Sequence, residues 1–226
     1  MAPSAPRRSR RIPDATVARL PLYHRILVEL AGQHTETVSS ERLAELAGVN
    51  AAKVRKDLSY LGSYGTRGVG YEVEYILFKI AQELGLTHKW PVVIAGAGNL
   101  GRALANYAGF GDRGFPIVAI VDTDPDIIGT EICGVEVTHL DDLTRTDDVE
   151  PTIGIVATPA KVAQAVVDRL VEAGVSAILN FAPALVTVPD NVPLRKVDLA
   201  LELQILSFYQ ARRVGGFGSE SVPPAP

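Results

Sequence analysis

Three glycines near the middle of the chain have the spacing of a phosphate-binding turn. An apolar run over residues 90–95 leads directly into a G-x-G-x-x-G sequence, which consists of Gly96, Ala97, Gly98, Asn99, Leu100 and Gly101. In this pattern the first glycine permits a tight turn, the second lets the main chain approach a pyrophosphate, and the third lets the next helix pack closely. The free N–H groups at the N-terminus of that helix attract phosphate.

Two acids follow this glycine turn at the distance expected of a dinucleotide fold. A second apolar run, residues 115–121, ends in Asp122, about 20 residues after the turn. A carboxylate at this place accepts hydrogen bonds from ribose hydroxyls, and Asp124 adds a charge that repels a 2′-phosphate. The pattern therefore predicts binding of NAD⁺ or NADH rather than of NADP⁺ or NADPH. A glycine turn that binds nothing is the alternative, but the strand, helix and acid together favour the nucleotide.

Short apolar runs then alternate with a helical stretch, with strands expected at 135–137, 152–157 and 177–179 and a helix at 160–173. Such alternation predicts an α/β domain of the Rossmann type, a doubly wound parallel sheet with helices on both faces. Thr158 and Pro159 end one strand, and the segment Asn180-Phe181-Ala182-Pro183 ends the next. Ligands of such sheets lie beyond the carboxyl ends of the strands. We expect both turns to line the nicotinamide half of the site, and ordinary turns without ligand contact are the alternative.

The first half of the chain contains the pattern of a helix-turn-helix. Ser39 or Ser40 can cap a short helix, Gly48 can end it in a left-handed conformation, and Asn50 can cap a second helix. A short helix, a glycine turn and a second helix are the parts of a DNA-binding motif.

The second helix of this motif has an apolar face and a basic face. Val54, Leu58 and Leu61 recur at i, i+4 and i+7 and are expected to face the core. The outward face consists of Ala52, Arg55, Lys56 and Ser59, with Lys53 and Tyr60 at its margin. This composition predicts a recognition helix that contacts DNA, and a helical hairpin with a solvated basic face is the alternative.

A glycine-rich segment follows at residues 62–71, where aromatic residues flank a tip that contains Arg67. The segment predicts a β-hairpin wing beside the recognition helix, from which Arg67 would enter the minor groove. A purely structural hairpin is the alternative.

Charge and cysteine content limit the possible functions. The 226 residues carry a net charge of −4, but the first 70 residues hold eleven Lys and Arg against six Asp and Glu, so that this part is basic and the remainder acidic. Such asymmetry indicates a polyanion partner for the basic part. Cys133 is the only cysteine, which excludes a disulfide framework and a thiolate metal cluster, so that redox sensing would require a ligand. The chain has no apolar run of ~18 residues and no secretory signal pattern, and we expect it in the cytoplasm.

The sequence predicts five regions. A disordered basic arm (residues 1–14) precedes a winged helix-turn-helix domain (15–85), which includes a first helix at 15–30 and a linking helix at 73–84. The NAD(H) domain (86–198), a final helix (199–213) and a disordered tail (214–226) follow. The final helix is apolar around most of its circumference, so we expect it to dock into a second subunit and form a homodimer. Burial within its own chain is the alternative.

Together these motifs resemble the Rex family of redox-sensing bacterial repressors. The resemblance covers about residues 12–209 and is most specific at four segments, residues 54–60, 65–71, 96–101 and 180–183. It implies a homodimer with a domain-swapped final helix. It also implies a repressor that binds a palindromic DNA operator and is released when the ratio of NADH to NAD⁺ rises.

The same resemblance implies three switch residues. Arg25 of the first helix matches an arginine that pairs with an aspartate of the partner's last helix, and that aspartate matches Asp198. Tyr107 matches a tyrosine that follows the glycine turn's helix and contacts the cofactor. The helix pattern by itself indicates only that Arg25 is solvated. Leu199 departs from the family, because some relatives carry an aromatic residue near the nicotinamide, and this contact is expected to be weaker here.

An NAD-dependent dehydrogenase or reductase is the rival interpretation. Hydride transfer usually needs a positioned acid or base, and only His139 and Lys161 follow the predicted strands closely enough to serve. Too little chain follows the last strand for a substrate domain, whereas the first part of the chain already contains the pattern of a complete DNA-binding domain. We therefore predict no catalytic residue, no metal site and no protein substrate. A coenzyme A-binding domain is a third possibility, but it would give no reason for Asp122.

Overall fold

The structure of the chain is a computed structural model that describes residues 12–62, 65–66, 68–143 and 151–213. Contacts divide the chain into two compact units, Met1–His88 and Lys89–Pro226. The predicted minor-groove residue Arg67 lies outside the described residues, as do residues 1–11 of the predicted arm and the predicted tail from residue 214.

The described residues of the first unit form five helices and two short strands. In chain order these are α1 (Asp14–Val17), α2 (Leu20–Gly32), β1 (Thr37–Val38), α3 (Ser40–Ala47), α4 (Ala51–Tyr60), β2 (Tyr71–Glu72) and α5 (Val73–Glu83). The caps of α3 and α4 form as the sequence predicts. The Ser39 hydroxyl accepts a hydrogen bond from the Arg42 N–H (3.0 Å), and the Asn50 side chain accepts one from the Lys53 N–H (2.8 Å). Gly48 ends α3 with φ of 63°, so α3 and α4 form a helix-turn-helix.

The first helix differs from the continuous helix expected over residues 15–30. The chain instead forms α1 and α2, which are separated at Ala18 and Arg19. Pro21 lies in the first turn of α2, where its missing N–H removes no hydrogen bond within the helix. In the interior of a continuous helix, the same proline would remove a main-chain hydrogen bond. The break between α1 and α2 therefore falls before Pro21.

The wing also differs from a hairpin formed by residues 62–71 alone. Strand β2 pairs in antiparallel fashion with β1, so that Val38 lies opposite Tyr71. Residues 65–70 contribute one bridge, in which the N–H groups of Thr66 and Gly70 donate to each other's carbonyl oxygens at 2.8 and 2.9 Å. Gly70 has φ of 103°, and a Cβ there would overlap the carbonyl of Val38. The close approach of the main chain at residue 70 to the end of β1 therefore requires glycine.

A buried carboxylate lies inside the helical core of this unit. Asp57 on α4 is only 1% exposed. Its Oδ1 accepts hydrogen bonds from the Thr16 hydroxyl (2.8 Å) and from Arg19 Nη2 (2.8 Å), and its Oδ2 accepts them from Arg19 Nε (2.7 Å) and the Tyr23 hydroxyl (2.9 Å). The four bonds attach α4 to the segment that contains α1, the break and the start of α2. We call Asp57, Thr16, Arg19 and Tyr23 the Asp57 cluster.

The Asp57 cluster keeps its carboxylate ionised. Burial raises the pKa of Asp57, but the hydrogen bonds from Arg19, Thr16 and Tyr23 outweigh it and hold that pKa below its ordinary value. Burial, followed by the hydrogen bond to Asp57, raises the pKa of Tyr23 to about 12. The phenol therefore remains a donor throughout the neutral range.

The second unit is a seven-stranded sheet with helices on both faces. Its elements are β3 (Val92–Ala95), α6 (Asn99–Ala105), β4 (Ile117–Asp122), β5 (Glu131–Ile132), β6 (Val135–His139), β7 (Ile153–Val156), α7 (Ala163–Glu172), β8 (Ala177–Asn180), β9 (Leu194–Lys196) and α8 (Leu199–Arg213). Two short 3₁₀ turns occur at Gly111–Arg113 and Leu140–Asp142. The strand order is β5-β6-β4-β3-β7-β8-β9.

This sheet is parallel except at one edge, where β5 pairs with β6 in antiparallel fashion. The predicted parallel sheet is therefore present with one antiparallel strand added at its edge, and β9, which pairs with β8, was not predicted. Alternate residues of β3 enter two separate apolar clusters, with Val93 and Ala95 in one and Val92 and Ile94 in the other. This alternation buries both faces, as a doubly wound fold requires.

Two helices of the sheet are shorter than expected. The sequence predicts a helix from Asn99 to about Phe110 after the glycine turn, but helix α6 ends at Ala105, where the Asn106 side chain donates to the Arg102 carbonyl (2.7 Å). An asparagine that bonds locally to the main chain competes with helix continuation. Helix α7 begins at Ala163 rather than at residue 160, after a turn in which the Val162 N–H donates to the Pro159 carbonyl.

Helix α8 has no buried residue in the single chain. Its seven large apolar side chains, from Leu199 to Tyr209, are 49–66% exposed. The described part of the chain thus gives no support to the alternative in which this helix is buried within its own chain. None of the described helices, α8 included, has the length and apolar content needed to cross a bilayer.

We predict that Asp57→Asn lowers the free energy of unfolding by about 3 kcal/mol at pH 7, because it leaves Arg19 without its buried counter-charge. Tyr23→Phe should cost only about 1 kcal/mol, because the carboxylate keeps its other donors. Urea unfolding of the full chain, followed by circular dichroism, measures both values.

The pH dependence distinguishes the charge from simple packing. Folding lowers the pKa of Asp57, so its stabilisation is fully present above the carboxyl pKa of the unfolded chain, about 3.9, and is lost as the pH falls through the folded value. The difference between the wild type and Asp57→Asn should therefore be constant from pH 6 to 8 and shrink below about pH 4. A difference that stays constant down to pH 3 would contradict an ionised Asp57.

Candidate functional site

The glycine turn between β3 and α6 packs main chain against main chain. Gly96 has φ of 100°, and a Cβ there would lie 2.7 Å from the carbonyl oxygen of Ala157, just after β7. A Cβ on Gly101 would overlap the carbonyl oxygen of Gly96. Because both contacts are with backbone atoms, neither can be relieved by a side-chain movement. Glycine at these two positions brings β3, α6 and β7 together at the point where the strand order reverses.

Gly98 differs from these two glycines because it has open space beside it. No described atom lies within 4 Å of the position that a Cβ would occupy there. The Arg102 side chain supports the same turn, since its Nε donates to the Ala97 carbonyl (2.9 Å). Sequence analysis missed Arg102, because an arginine in an exposed helix gives no sign that it folds back onto a turn.

A cavity of about 540 Å³ opens at this turn, at the carboxyl ends of β3, β4 and β7. Its volume lies within the range of small-molecule sites, roughly 300–1,000 Å³. Six predicted cofactor residues line it, namely Gly96, Gly98, Asp122, Asp124, Thr158 and Pro159. The turn residues Ala97, Asn99, Leu100 and Gly101 do not line it but form the turn and the start of α6.

The hydroxyl of Thr158, a residue that lines this cavity, indicates a polar ligand there. Its oxygen is buried and has no hydrogen-bond partner among the described residues. A buried hydroxyl without a partner costs free energy, and a polar ligand group in the cavity would remove that cost. The residues present therefore fit a dinucleotide, with open backbone at Gly98 and an unused hydroxyl at Thr158.

Asp122 has a structural role that the sequence did not reveal. Its Oδ2 accepts a hydrogen bond from the Ala97 N–H (2.6 Å), and its Oδ1 accepts bonds from the N–H groups of Thr123 (2.7 Å) and Asp124 (3.0 Å). The carboxylate thus joins the glycine turn to the end of β4. A carboxylate has about four acceptor positions, so capacity remains for one ribose hydroxyl.

Two charged residues that line the cavity, Arg169 and Asp141, were not predicted. Arg169 on α7 lines it beside Asp141, and its Nε lies 3.0 Å from Asp141 Oδ1. Its Nη1 also lies 3.1 Å from Glu172 Oε2. The guanidinium is thus held by two carboxylates, and its hydrogen bonds to Glu172 and Asp141 raise the pKa of Arg169.

Three further predicted cofactor residues, Asn180, Phe181 and Tyr107, also lie outside the lining of the cavity. Asn180 is buried, and its amide donates to the Ala184 carbonyl (3.1 Å) and accepts from the Ala182 N–H (2.9 Å), so that it stabilises its own turn. Phe181 packs against the apolar cluster on one face of the sheet. Tyr107 lines a separate cavity of about 210 Å³, and its hydroxyl accepts from Arg113 Nη1 (3.0 Å). Their contact with a cofactor stays a prediction.

The recognition helix α4 presents its basic residues as expected. Ala52, Lys53, Arg55 and Lys56 are exposed, whereas Ser59 and Tyr60 are partly buried. The Ser59 hydroxyl donates to the Lys56 carbonyl (2.7 Å), which leaves its oxygen as an acceptor. Arg55 is the only one of these side chains that bonds to another helix in the described part of the chain, since its Nη1 donates to Ser40 and Glu41 of α3.

The two charged switch candidates differ in their surroundings. Arg25 is exposed on α2 and makes no ion pair with another described residue. Asp198 lies 3.2 Å from Lys196 Nζ and accepts a hydrogen bond from the Ala200 N–H (3.1 Å) at the start of α8. The bond with Lys196, more than any other contact, lowers the pKa of Asp198.

Comparisons with known proteins agree with this arrangement of motifs. A family model described as "Putative DNA-binding protein N-terminus" matches residues 11–59, and one described as "CoA binding domain" matches residues 87–184. The redox-sensing transcriptional repressor Rex of Streptomyces avermitilis is 60% identical over 92% of this chain and 83% of its own length. The repressor of the same name from Desulfitobacterium hafniense is 48% identical over 88% of this chain and 95% of its own. The chain belongs to the Rex family.

Solved structures of the Rex family match the whole fold. The repressor RSP in complex with β-NAD⁺ and operator DNA is 38% identical and covers 91% of this chain and 95% of its own, with a TM-score of 0.83. RSP in complex with β-NADH gives a TM-score of 0.80 at 37% identity, and covers 91% of this chain and 97% of its own. The predicted Rex resemblance is thus confirmed, as is the fold of an N-terminal DNA-binding domain followed by a Rossmann-like parallel sheet. The Rex relatives of this chain named above are transcriptional regulators.

Two glycine substitutions separate cofactor contact from packing in this Rex-family chain. Gly98→Ala places a methyl group in open space, so we expect an unchanged melting temperature but NADH binding weakened at least about ten-fold if the pyrophosphate approaches this backbone. Gly101→Ala should instead lower the melting temperature, because the added carbon overlaps the Gly96 carbonyl.

Nucleotide fluorescence on titration with NADH and thermal unfolding without nucleotide measure the two effects. Wild-type NADH affinity in Gly98→Ala would show that the phosphates do not lie against Gly98.

Proposed function

We propose that this chain is a redox-sensing transcriptional repressor, which binds palindromic operator DNA and releases it when the ratio of NADH to NAD⁺ rises. One observation carries the proposal: a single chain combines a helix-turn-helix that exposes a basic face with a separate cavity whose glycine turn, carboxylate and unpaired hydroxyl fit a dinucleotide. Crystal structures of the relative RSP with operator DNA, NAD⁺ and NADH support the same pairing of functions.

The DNA-contacting surface in this proposal is the outward face of α4 together with the wing. Arg55 and Lys56 supply positive charge, and small or hydroxyl-bearing side chains beside them allow close approach to the major groove. The contacting residues are Ala52, Lys53, Arg55, Lys56, Ser59, Tyr60 and Arg67.

The cofactor lies across the carboxyl edge of the sheet. Its pyrophosphate contacts the glycine turn at Gly98 and the N–H groups at the start of α6, and its adenosine ribose bonds to Asp122. Asp124 disfavours a 2′-phosphate. Thr158 and Pro159 line the nicotinamide half of the cavity, with Asn180, Phe181 and Tyr107 as further contacts that the family resemblance and strand ends suggest.

The protein acts as a homodimer with a domain-swapped α8. The seven exposed apolar side chains of this helix are buried when it docks into a second copy. Two-fold symmetry of the protein then matches the two halves of a palindromic operator. The dimer works in the cytoplasm, beside the DNA that it binds.

Release of DNA depends on a two-state dimer in which Arg25 pairs with the partner subunit's Asp198. NADH and NAD⁺ differ by a hydride and one positive charge, and each state binds one of the two forms more tightly. A difference in affinity of this kind is sufficient to shift a two-state equilibrium.

The protein carries out no reaction on the nucleotide. The two acid–base candidates of the rival interpretation, His139 and Lys161, do not line the cavity. His139 accepts a hydrogen bond from the Asp141 N–H through Nδ1 (3.1 Å), and Lys161 is exposed. Hydride transfer to a metabolite would need a donor beside the nicotinamide, and neither residue supplies one.

We predict that Arg55→Ala and Lys56→Ala each weaken operator binding by about 1–3 kcal/mol and leave NADH affinity unchanged. Lys161→Ala, which removes an exposed positive charge from the second unit, is the matched control and should leave both affinities unchanged. Fluorescence anisotropy of a labelled duplex at fixed salt measures DNA binding, because the salt concentration sets the affinity. Unchanged DNA affinity in both α4 variants would remove the recognition helix from the proposal.

We predict that Asp198→Asn raises the NADH concentration needed for half-release of the operator by about ten-fold, a typical allosteric coupling. Asparagine can still accept the Ala200 N–H, so that the start of α8 is preserved. Lys196→Ala is the control, because it removes the pairing within the chain and retains the aspartate. Release of Asp198→Asn at the wild-type NADH concentration would refute the pairing with Arg25.

A further inference from the structure

Arg55, on the outward face of α4, is hydrogen-bonded to the preceding helix, α3. Arg55 Nη1 donates hydrogen bonds to Ser40 Oγ and to Glu41 Oε1, both at 2.9 Å. Its Nε and Nη2 bond to no other residue in the described part of the chain. The Arg55 and Glu41 side chains are 54% and 70% exposed, so this is a solvent-facing contact between the two helices of the motif.

The geometry divides the guanidinium into two edges. An arginine has five N–H groups in a fixed planar fork, of which Nη1 carries two. Both are used by Ser40 and Glu41, and the remaining three, on Nε and Nη2, form a second edge that can donate two parallel hydrogen bonds. An edge of this kind matches the O6 and N7 acceptors of guanine in the major groove.

Helix α3 places the two acceptors where they can act on Arg55. Ser39 caps the helix, so Ser40 and Glu41 occupy its first turn. The Ser40 side chain is nearly buried, and its hydroxyl donates to the Glu41 carboxylate at 3.1 Å while it accepts from Arg55. The helix N-terminus favours a negative charge at this position. The pair is therefore ionised and oriented before DNA arrives.

We propose that Glu41, supported by Ser40, is a specificity-determining residue, which fixes Arg55 for guanine recognition and reduces its attraction to DNA phosphates. The inference rests on the proposed DNA-binding function and deepens it. An unheld arginine can turn toward any phosphate, whereas one whose Nη1 is fixed presents a single edge. The negative charge of Glu41 also repels phosphates, which penalises non-specific binding without penalising contact with a base.

An exposed ion pair adds little to stability, which favours a role in recognition over a role in folding. Glu41→Gln removes the charge and keeps the size of the side chain, so it tests the role directly. The probes are a palindromic duplex selected by the wild-type full chain from a random pool and a scrambled duplex of equal length and composition.

We predict that Glu41→Gln tightens binding to the scrambled duplex and makes its salt dependence steeper by up to about 0.9 in log–log slope, the value for one additional phosphate contact. The ratio of selected to scrambled affinity should fall by at least about five-fold, as expected when a bidentate base contact loses its fixed geometry. Ser40→Ala should lower the ratio in the same direction but by less.

The controls separate the position of the charge from its presence. Glu45→Gln removes an equal charge from the same helix, where Glu45 pairs with Arg42 (2.7 Å) and not with Arg55, and it should leave the ratio unchanged. In an Arg55→Lys background, Glu41→Gln should lower the ratio by less than it does with Arg55 present, because lysine has no fork to orient and only the repulsion of phosphates is lost. Circular dichroism checks that each variant is folded.

Two results would overturn the inference. They are an unchanged ratio in Glu41→Gln, which includes an equal rise of both affinities, and a fall of the ratio in Glu45→Gln as large as that in Glu41→Gln. Failure of the proposed function looks different, because then the wild-type chain itself selects no palindrome or holds it at every ratio of NADH to NAD⁺.

Discussion

The buried carboxylate of Asp57 is the interaction on which the orientation of the recognition helix depends. An ionised group in a core is costly unless its acceptor positions are filled, and only one placement of α4 lets Thr16, Arg19 and Tyr23 fill them together. In an α-helix, residues two apart lie about 200° around the axis from each other, so fixing Asp57 inward fixes Arg55 outward. The orientation of the outward face of α4 is thus determined by a contact inside the first unit. Glu41 then fixes the guanidinium of Arg55.

The second unit reaches the same rigidity with main-chain contacts rather than a buried charge. Gly96 and Gly101 let β3, α6 and β7 approach within backbone contact, and Asp122 joins the turn to β4 through the Ala97 N–H. The side of the cavity formed by the glycine turn is therefore backbone, which cannot change rotamer. A site built in this way can respond to small differences between two nucleotides, because its own atoms have little freedom to absorb them.

Local signals in the sequence predicted the elements, whereas contacts between distant residues could not be predicted from them. The helix caps at Ser39 and Asn50 and the glycine turn are set by neighbours in the chain and formed as expected. The pairing of β2 with β1 joins residues more than thirty positions apart, and the link between Arg55 and Glu41 depends on how two helices cross. Asp57 left a signal that was overlooked: with Val54, Leu58 and Leu61 it completes the i, i+3, i+4, i+7 stripe of the core face. A charge on that stripe indicates a buried partner.

The switch in the proposed mechanism requires a pairing that is easily exchanged. In the single chain Asp198 is already satisfied by Lys196 at 3.2 Å, so the partner subunit's Arg25 would replace one cation with another rather than rescue an unpaired charge. The pair of Lys196 and Asp198 is partly exposed, at 34% and 20% of the two side chains, and such a pair contributes little free energy. The two states would then differ little in free energy, and a nucleotide that binds one state moderately more tightly would decide between them. A buried carboxylate with four hydrogen bonds, such as Asp57, could not serve this purpose, because breaking its pair with Arg19 would cost more than a difference in nucleotide affinity supplies.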